Sequence, residues 1–220
     1  MTIATWNVER LKHGANKIAE ACKAINADIL VLTESDERME LPYNYCFSTQ
    51  EDMQPLYRQT ERRVMVYTNY PEIRKYSTYD STRSLCVEMD TEYGELLIYG
   101  TVIGQFGNRY PSFLEDAENQ AKDIDRLTQE GRNLCYIGDY NCSFSDNYYF
   151  TGKGREVIWE MLKRNELRLV TEEQHQCIDH IGLSAVMTDS KQILIEEWNQ
   201  NKSLSDHKGI LVRLEEQDGI

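Results

Sequence analysis

The chain is short of the residues that interrupt structure, staple it or carry it through a membrane. Four prolines and twelve glycines in 220 residues leave little material for linkers or low-complexity segments. The sequence contains no internal repeat. No apolar run approaches the ~20 residues of a membrane-spanning helix. The start, Met1-Thr2-Ile3-Ala4-Thr5-Trp6-Asn7, lacks the basic region and apolar stretch of a secretory signal. A cytoplasmic protein without a membrane partner is therefore expected. Cys22, Cys46, Cys86, Cys135, Cys142 and Cys177 form no C-x-x-C pair, which argues against zinc, and a reducing compartment argues against disulfides. Positive charge is scarce as well. The 24 Lys and Arg against 37 Asp and Glu give a net charge of −13, whereas a general nucleic-acid binder is basic. Contact with a polyanion would then need a local patch or metal ions.

What is present suits one folded unit, expected to span residues 1–220, because 40% of the chain is hydrophobic and that length can enclose a core. Residues 2–7 and 28–33 read as short buried strands. Residues 15–27 carry Ile18, Ala19, Cys22 and Ile25 at helical spacing. A strand-rich middle follows at 45–48, 63–68, 84–89 and 95–103, rich in Val, Ile, Tyr and Cys. A helix is predicted over 113–130, closed by Gly131. A strand at 133–138, a helix at 154–165 and strands at 177–183, 193–197 and 209–214 complete the pattern. Helices on either side of a strand-rich middle predict two packed sheets with helices outside.

Polar groups able to do chemistry sit where these strands stop. Asn7 and Glu9 are two apart, as are Asp139 and Asn141, and on an extended backbone such pairs face one way. Glu34 follows the run Ile29–Leu32, and Asp179-His180 interrupts Cys177–Ile181. A buried Asp179 needs a partner, since an unpaired buried charge costs several kcal/mol; His207 in Ser205-Asp206-His207 is the candidate. Carboxylates, amides and an imidazole are the equipment of a phosphate-cleaving site.

The ordered series Thr5-Trp6-Asn7-Val8, Leu32-Thr33-Glu34, Gly138-Asp139-Tyr140-Asn141, Ile178-Asp179-His180-Ile181 and Ser205-Asp206-His207 resembles the endonuclease/exonuclease/phosphatase superfamily. Each motif alone is weak; five in order, each at a predicted strand end, are specific. The resemblance implies an α/β (α+β) DNase-I-like fold: a four-layer αββα sandwich of two mostly antiparallel sheets covered by helices. It implies Mg²⁺, with Mn²⁺ as an expected substitute, and no organic cofactor. Carried over by residue, Glu34 resembles the principal metal ligand. Asn7 resembles the residue that supports metal and phosphate, Asp206 would complete the acidic cluster, and Glu9 occupies a position where the family often has another acidic residue. Asp139 would orient or deprotonate water, Asn141 would bind a phosphoryl oxygen, and His207 would contact the phosphoryl group, its ring held by Asp179. Thr101 stands where the family usually has His or Tyr, with Tyr99 as a possible replacement. Gly104 stands where some nucleases have Asn.

The expected function is metal-dependent hydrolysis of a phosphodiester in DNA or RNA by in-line attack of water. One alternative is a phosphatase or phosphodiesterase of a small phosphate compound, a nucleotide or phosphoinositide, and another is a catalytically inactive binding module. Tyr148-Tyr149-Phe150 with Lys153 and Arg155, joined by Arg109, offers aromatics and cations for single-stranded nucleic acid. The competing reading is a solvated loop. Protein partners are not legible. Cys142 and His180 read as packing residues.

Overall fold

The computed structural model describes residues 1–54, 57–104, 107 and 110–216. Its apolar runs pair into strands because each extended run has a neighbour to satisfy its backbone groups. Among the described residues two sheets of six strands form. The first contains β1 (Thr2–Asn7), β2 (Ile29–Asp36), β3 (Tyr45–Ser48), β4 (Glu61–Thr68), β11 (Lys191–Trp198) and β12 (Gly209–Glu216), in the order β11-β12-β1-β2-β4-β3. The second contains β5 (Glu72–Tyr76), β6 (Ser84–Thr91), β7 (Gly94–Val102), β8 (Asn133–Asp139), β9 (Leu167–Leu169) and β10 (Asp179–Ser184), in the order β5-β6-β7-β8-β10-β9. Each sheet is antiparallel except for one central parallel pair, β1 with β2 and β7 with β8. Each parallel pair is joined through a helix, α1 (Ala15–Ile25) or α2 (Pro111–Thr128), as parallel neighbours require. The helices α3 (Gly152–Arg164) and α4 (Ala185–Thr188) follow β8 and β10.

Side-chain alternation sorts the core into layers. Ile3, Ile29, Val31, Val64, Ile98, Ile137, Ile181 and Val212 meet between the sheets. Ala4, Trp6, Leu30 and Leu32 face outward against Ile18 and Cys22 of α1. Leu97, Tyr99, Leu134 and Tyr136 face outward against Phe113, Ile124, Ile158 and Leu162 of α2 and α3. The result is helix, sheet, sheet, helix, and each large aliphatic side chain so buried contributes roughly 1.5–3 kcal/mol.

The topology gathers one set of strand ends. β1, β2, β7 and β8 all terminate at the same edge, where β10 and β12 begin, since Asp179 pairs with Asp139 and Thr5 with Ile210. Gly138, at φ 138°, permits this closure: a Cβ there would lie 2.1 Å from the Thr101 carbonyl oxygen. Two strands were not expected from the sequence. β5 is an exposed, charged edge strand and β9 is three residues long, so neither shows an apolar run.

Candidate active site

Parity along the strands decides which side chains reach the common edge. Asn7 lies on the inter-sheet face of β1, two residues beyond Thr5 and four beyond Ile3; Asp139 continues Cys135 and Ile137, and Asp179 precedes Ile181 and Leu183. The polar cluster is therefore the end of the inter-sheet core, where apolar residues give way to acids and amides.

These groups are joined to one another. Asn7 Nδ2 donates to Asp139 Oδ2 at 3.1 Å. Asp139 Oδ1 accepts the Asn141 backbone N–H at 2.9 Å, and Asn141 Nδ2 lies 3.3 Å from Oδ2 and donates to the Ile103 carbonyl at 3.0 Å. His207 Nδ1 lies 2.5 Å from Asp179 Oδ2. Asp139 and Asp179 are each 2% exposed, and ligand atoms of Asp139, Asp179 and His207 lie within 4.8 Å of one another. Ser205, fully buried, ties the assembly together: its Oγ donates to the Asn7 carbonyl at 2.6 Å and accepts the His207 N–H at 3.1 Å. The Trp6 indole and the Asn199 amide donate to the His207 carbonyl at 3.2 and 2.7 Å.

Burial pushes the Asp139 carboxyl up to about 7; the His207 cation opposes this, while Asp179 and Glu34 add to it. Burial works against the His207 imidazolium, but the Asp179 carboxylate beside it prevails and holds the ring up at about 10. A protonated imidazole is a hydrogen-bond donor and cannot ligate a metal. The Asp139–Asp179–His207 trio thus supplies its own cation. An added divalent ion fits better toward Glu34, whose carboxylate is close enough to act on Asp139 and is 27% exposed. Asp179 Oδ1 is buried without a hydrogen-bond partner among the described residues, and oxygen donors of this kind suit Mg²⁺ or Mn²⁺.

Glu34 reaches the edge through a backbone irregularity. Leu30 and Leu32 face α1, and strict alternation would send Glu34 the same way. It instead takes a left-handed conformation, φ 47°, in a region costing a non-glycine residue on the order of 1–3 kcal/mol. Asn141 is left-handed too, at φ 48°. Left-handed residues also replace the expected continuation of β1. Glu9, Arg10 and Leu11 form a turn with φ of 47°, 53° and 58°. The two-residue alternation argument for Glu9 therefore fails, because the strand ends at Asn7. Glu9 binds Lys12 Nζ at 2.6 Å, its Oε2 lies 3.2 Å from His13 Nε2, and the Asp206 backbone N–H also favours its charged form. Burial raises its pKa, and these partners outweigh burial, leaving it lowered. Asp206 is 67% exposed, its Oδ1 3.8 Å from His207 Nε2.

Three substrate-contact expectations require correction. Tyr99 and Thr101 are completely buried on the face of β7 covered by α2. The Tyr99 hydroxyl bonds Asp123 at 2.9 Å and Ser84 at 3.2 Å, and Thr101 Oγ1 donates to Gln120 Oε1 at 2.8 Å. Neither hydroxyl is available to a ligand. Arg155 is also spent internally: its guanidinium donates to the carbonyls of Ser143 and Asp146 and lies 4.3 Å from the Phe150 ring centroid. It braces the loop after β8. Lys153 is exposed at the start of α3, and Arg109 lies outside the described residues. Gly104 has φ 82°, and a Cβ there would meet the Gly107 carbonyl oxygen at 2.8 Å; its N–H donates to Asp116. His180 is buried between Thr171 Oγ1 and the carbonyls of Cys142 and Cys177.

Two features beside the site escaped sequence reasoning. Arg10 Nε lies 4.0 Å from Glu34 Oε2, with its guanidinium over the Tyr57 ring. A cavity of about 160 Å³ opens beside His207, lined by Asn141, Tyr148, Gln176, Asp179, Lys202 and Lys208 among others. The left-handed turn has no sequence signal, since Glu-Arg-Leu favours ordinary helix. Lys202 lies in a polar loop with no motif.

The profile of the Endonuclease/Exonuclease/phosphatase family matches residues 4–207. No curated protein is similar enough in sequence to count as a relative. Among solved structures, an AP endonuclease from Archaeoglobus fulgidus superposes with a TM-score of 0.74 at 12% identity, over 97% of this chain and 99% of that one. A 3'-5' exonuclease (NExo) from Neisseria meningitidis gives 0.71 at 17% identity, over 98% and 100%. The 3' phosphatase NExo (D146N) from Neisseria, bound to a product DNA hairpin, gives 0.72 at 16% identity, over 98% and 99%. At these identities the likeness is one of fold.

Proposed function

Since the chain belongs to the endonuclease/exonuclease/phosphatase family, whose members are phosphoesterases, we propose that it hydrolyses phosphodiester bonds in DNA or RNA with a divalent metal. The carrying observation is the meeting of Asn7, Asp139, Asp179 and His207 from four strand ends within one hydrogen-bonded cluster. Glu34 and Asn7 would hold Mg²⁺, with Glu9 and Asp206 at the margin, and the ion would supply positive charge to the phosphoryl oxygens.

The chain's own groups then divide the work. Asp139, held by the Asn7 and Asn141 amides, takes a proton from the attacking water. A carboxyl raised toward neutrality is suited to that task. His207, fixed through Nδ1 by Asp179, presents protonated Nε2 to a phosphoryl oxygen as charge develops. Asn141 can turn its amide to the same phosphate. The water oxygen forms the new bond to phosphorus as the bond to the departing oxygen breaks. The exposed Lys153 is available to a longer nucleic-acid backbone.

The net charge of −13 favours a second reading, hydrolysis of a small phosphate ester. Turnover of single- and double-stranded DNA, RNA and small phosphate esters should be compared in Mg²⁺ and in excess EDTA. Cleavage of a nucleic acid that chelation stops is the expected result. Turnover of the small esters alone would replace the first reading with the second, and undiminished activity in EDTA would remove the metal.

A further inference from the structure

The cavity beside His207 is assembled from three loops. Tyr148 and Tyr149 come from the segment after β8, Gln176–Ile178 from the segment before β10, and Lys202, Asp206 and Lys208 from the segment before β12. At about 160 Å³ it is smaller than the ~300–1,000 Å³ typical of sites for whole organic ligands. It has room for one small group attached to the scissile phosphate, and its shared wall, Asn141, Asp179 and His207, is the catalytic cluster itself.

Its two lysines differ. Lys208 Nζ is neutralised by Glu197 at 2.7 Å and capped by the His175 carbonyl at 2.7 Å. Lys202 has no carboxylate within 4.0 Å among the described residues; its Nζ donates to the Tyr148 hydroxyl at 3.0 Å and lies 5.1 Å from that ring's centroid. An ammonium has three donors, so two are left over among the described residues. Tyr148, having accepted, retains its own hydroxyl proton to donate. In a chain of net charge −13, an ammonium with no counterion among the described residues, at the mouth of a site, suits an anion.

Lys202 is also held in register with the catalytic histidine. It sits in a left-handed turn, φ 54°, closed by its own N–H to the Asn199 carbonyl at 2.8 Å. The Asn199 side chain in turn accepts from the Leu204 N–H and donates to the carbonyls of Ser205 and His207. The loop that carries Lys202 is therefore fastened to His207 by one side chain.

Resting on the hydrolytic reading above, we propose that this cavity is a second phosphate subsite, in which Lys202 and the Tyr148 hydroxyl hold a phosphate neighbouring the scissile one. The neighbouring phosphate can be a terminal monoester or the next internal diester.

Calorimetry in Mg²⁺ with thymidine 3',5'-bisphosphate and the two thymidine monophosphates tests the subsite. The wild type should bind the bisphosphate roughly tenfold more tightly than either monophosphate, the scale of one charge-assisted hydrogen bond. Lys202→Ala should erase that difference, Lys202→Arg should keep most of it, and Lys122→Ala, on the exposed face of α2, should keep it all. Equal affinities in the wild type, or a preference that survives K202A, overturns the subsite. Comparing kcat/KM for pTpT and TpTpT then separates a terminal source from an internal one. Hydrolysis of bis(p-nitrophenyl) phosphate, which has no second phosphate, reports on the hydrolytic reading alone. Its failure beside an intact, Lys202-dependent bisphosphate preference would leave a binding site without the chemistry.

Discussion

The two parallel crossovers, β1–α1–β2 and β7–α2–β8, have one topology and opposite electrostatics. The first ends in an open, charged rim: Glu9, Arg10 and Glu34 on left-handed backbone, with Glu34 27% exposed. The second ends in a closed one: Asp139 is 2% exposed and bonded to amides on both oxygens. Identical strand order therefore delivers two environments to one edge. The closed rim shifts protonation equilibria, because burial there penalises charge. The open rim leaves carboxylate oxygen accessible to a hydrated cation, which surrenders its waters reluctantly. On the proposed reading, water activation falls to the closed rim and metal binding to the open one, so the two could be tuned separately.

The comparison breaks most visibly if the closed rim is disabled. Asp139→Asn and His207→Ala should each lower turnover by about 10²–10⁴-fold, while circular dichroism shows an unchanged fold; retained turnover in either removes that residue from the chemistry. On the open rim, Glu34→Gln should raise the Mg²⁺ concentration for half-maximal binding at least about tenfold, of order 1.4 kcal/mol, as read by calorimetry. An unchanged metal isotherm would move the ion elsewhere.

The closed half should also be the acid-sensitive one. Burial holds His180 down at about 4, with hydrogen bonds from its neighbours only partly opposing. Its folded pKa is below the unfolded value near 6.5, so the unfolded chain binds the extra proton between those values. Stability is whole above pH 6.5 and falls as pH drops toward 4, by about 3 kcal/mol from this group. Urea melts at pH 7 and pH 4.5 should show the loss, and His180→Gln should flatten it; an equal slope in the variant assigns the loss to other groups. The smallest expected effect is at Arg10, whose φ of 53° suits glycine. Arg10→Gly should stabilise by no more than about 1 kcal/mol, since it also gives up the contact with Tyr57. A thermal melt that drops instead would show that the Glu34 and Tyr57 contacts outweigh the backbone.

Much of this was legible in the chain. The apolar runs ending in Asn7, Glu34 and Asp139 announced strands with polar tips, and helical spacing located α1, α2 and α3 within a few residues. The fourfold layering followed from helices flanking strands. Parity misled where its reference frame was missing. Tyr99 and Thr101 do share a face, but only the packed structure shows that α2 covers it. Alternation failed at Glu9 and Glu34 because left-handed residues break the two-residue period, and nothing in Glu-Arg-Leu or Thr-Glu-Ser signals that. The likeness of the two crossovers leaves no repeat in the sequence, because each half needs only apolar alternation and not particular residues.

One topological detail bears on when the molecule becomes competent. β12 lies in the interior of its sheet, between β11 and β1, so β1 has a vacant flank until β12 pairs with it. Such distant pairing is slow to establish. A polypeptide that stops before residue 205 carries no imidazole for Asp179, and its Asn7 carbonyl lacks the Ser205 clasp. The contact of His207 with Asp179 therefore forms only once the segment leading into β12 has docked.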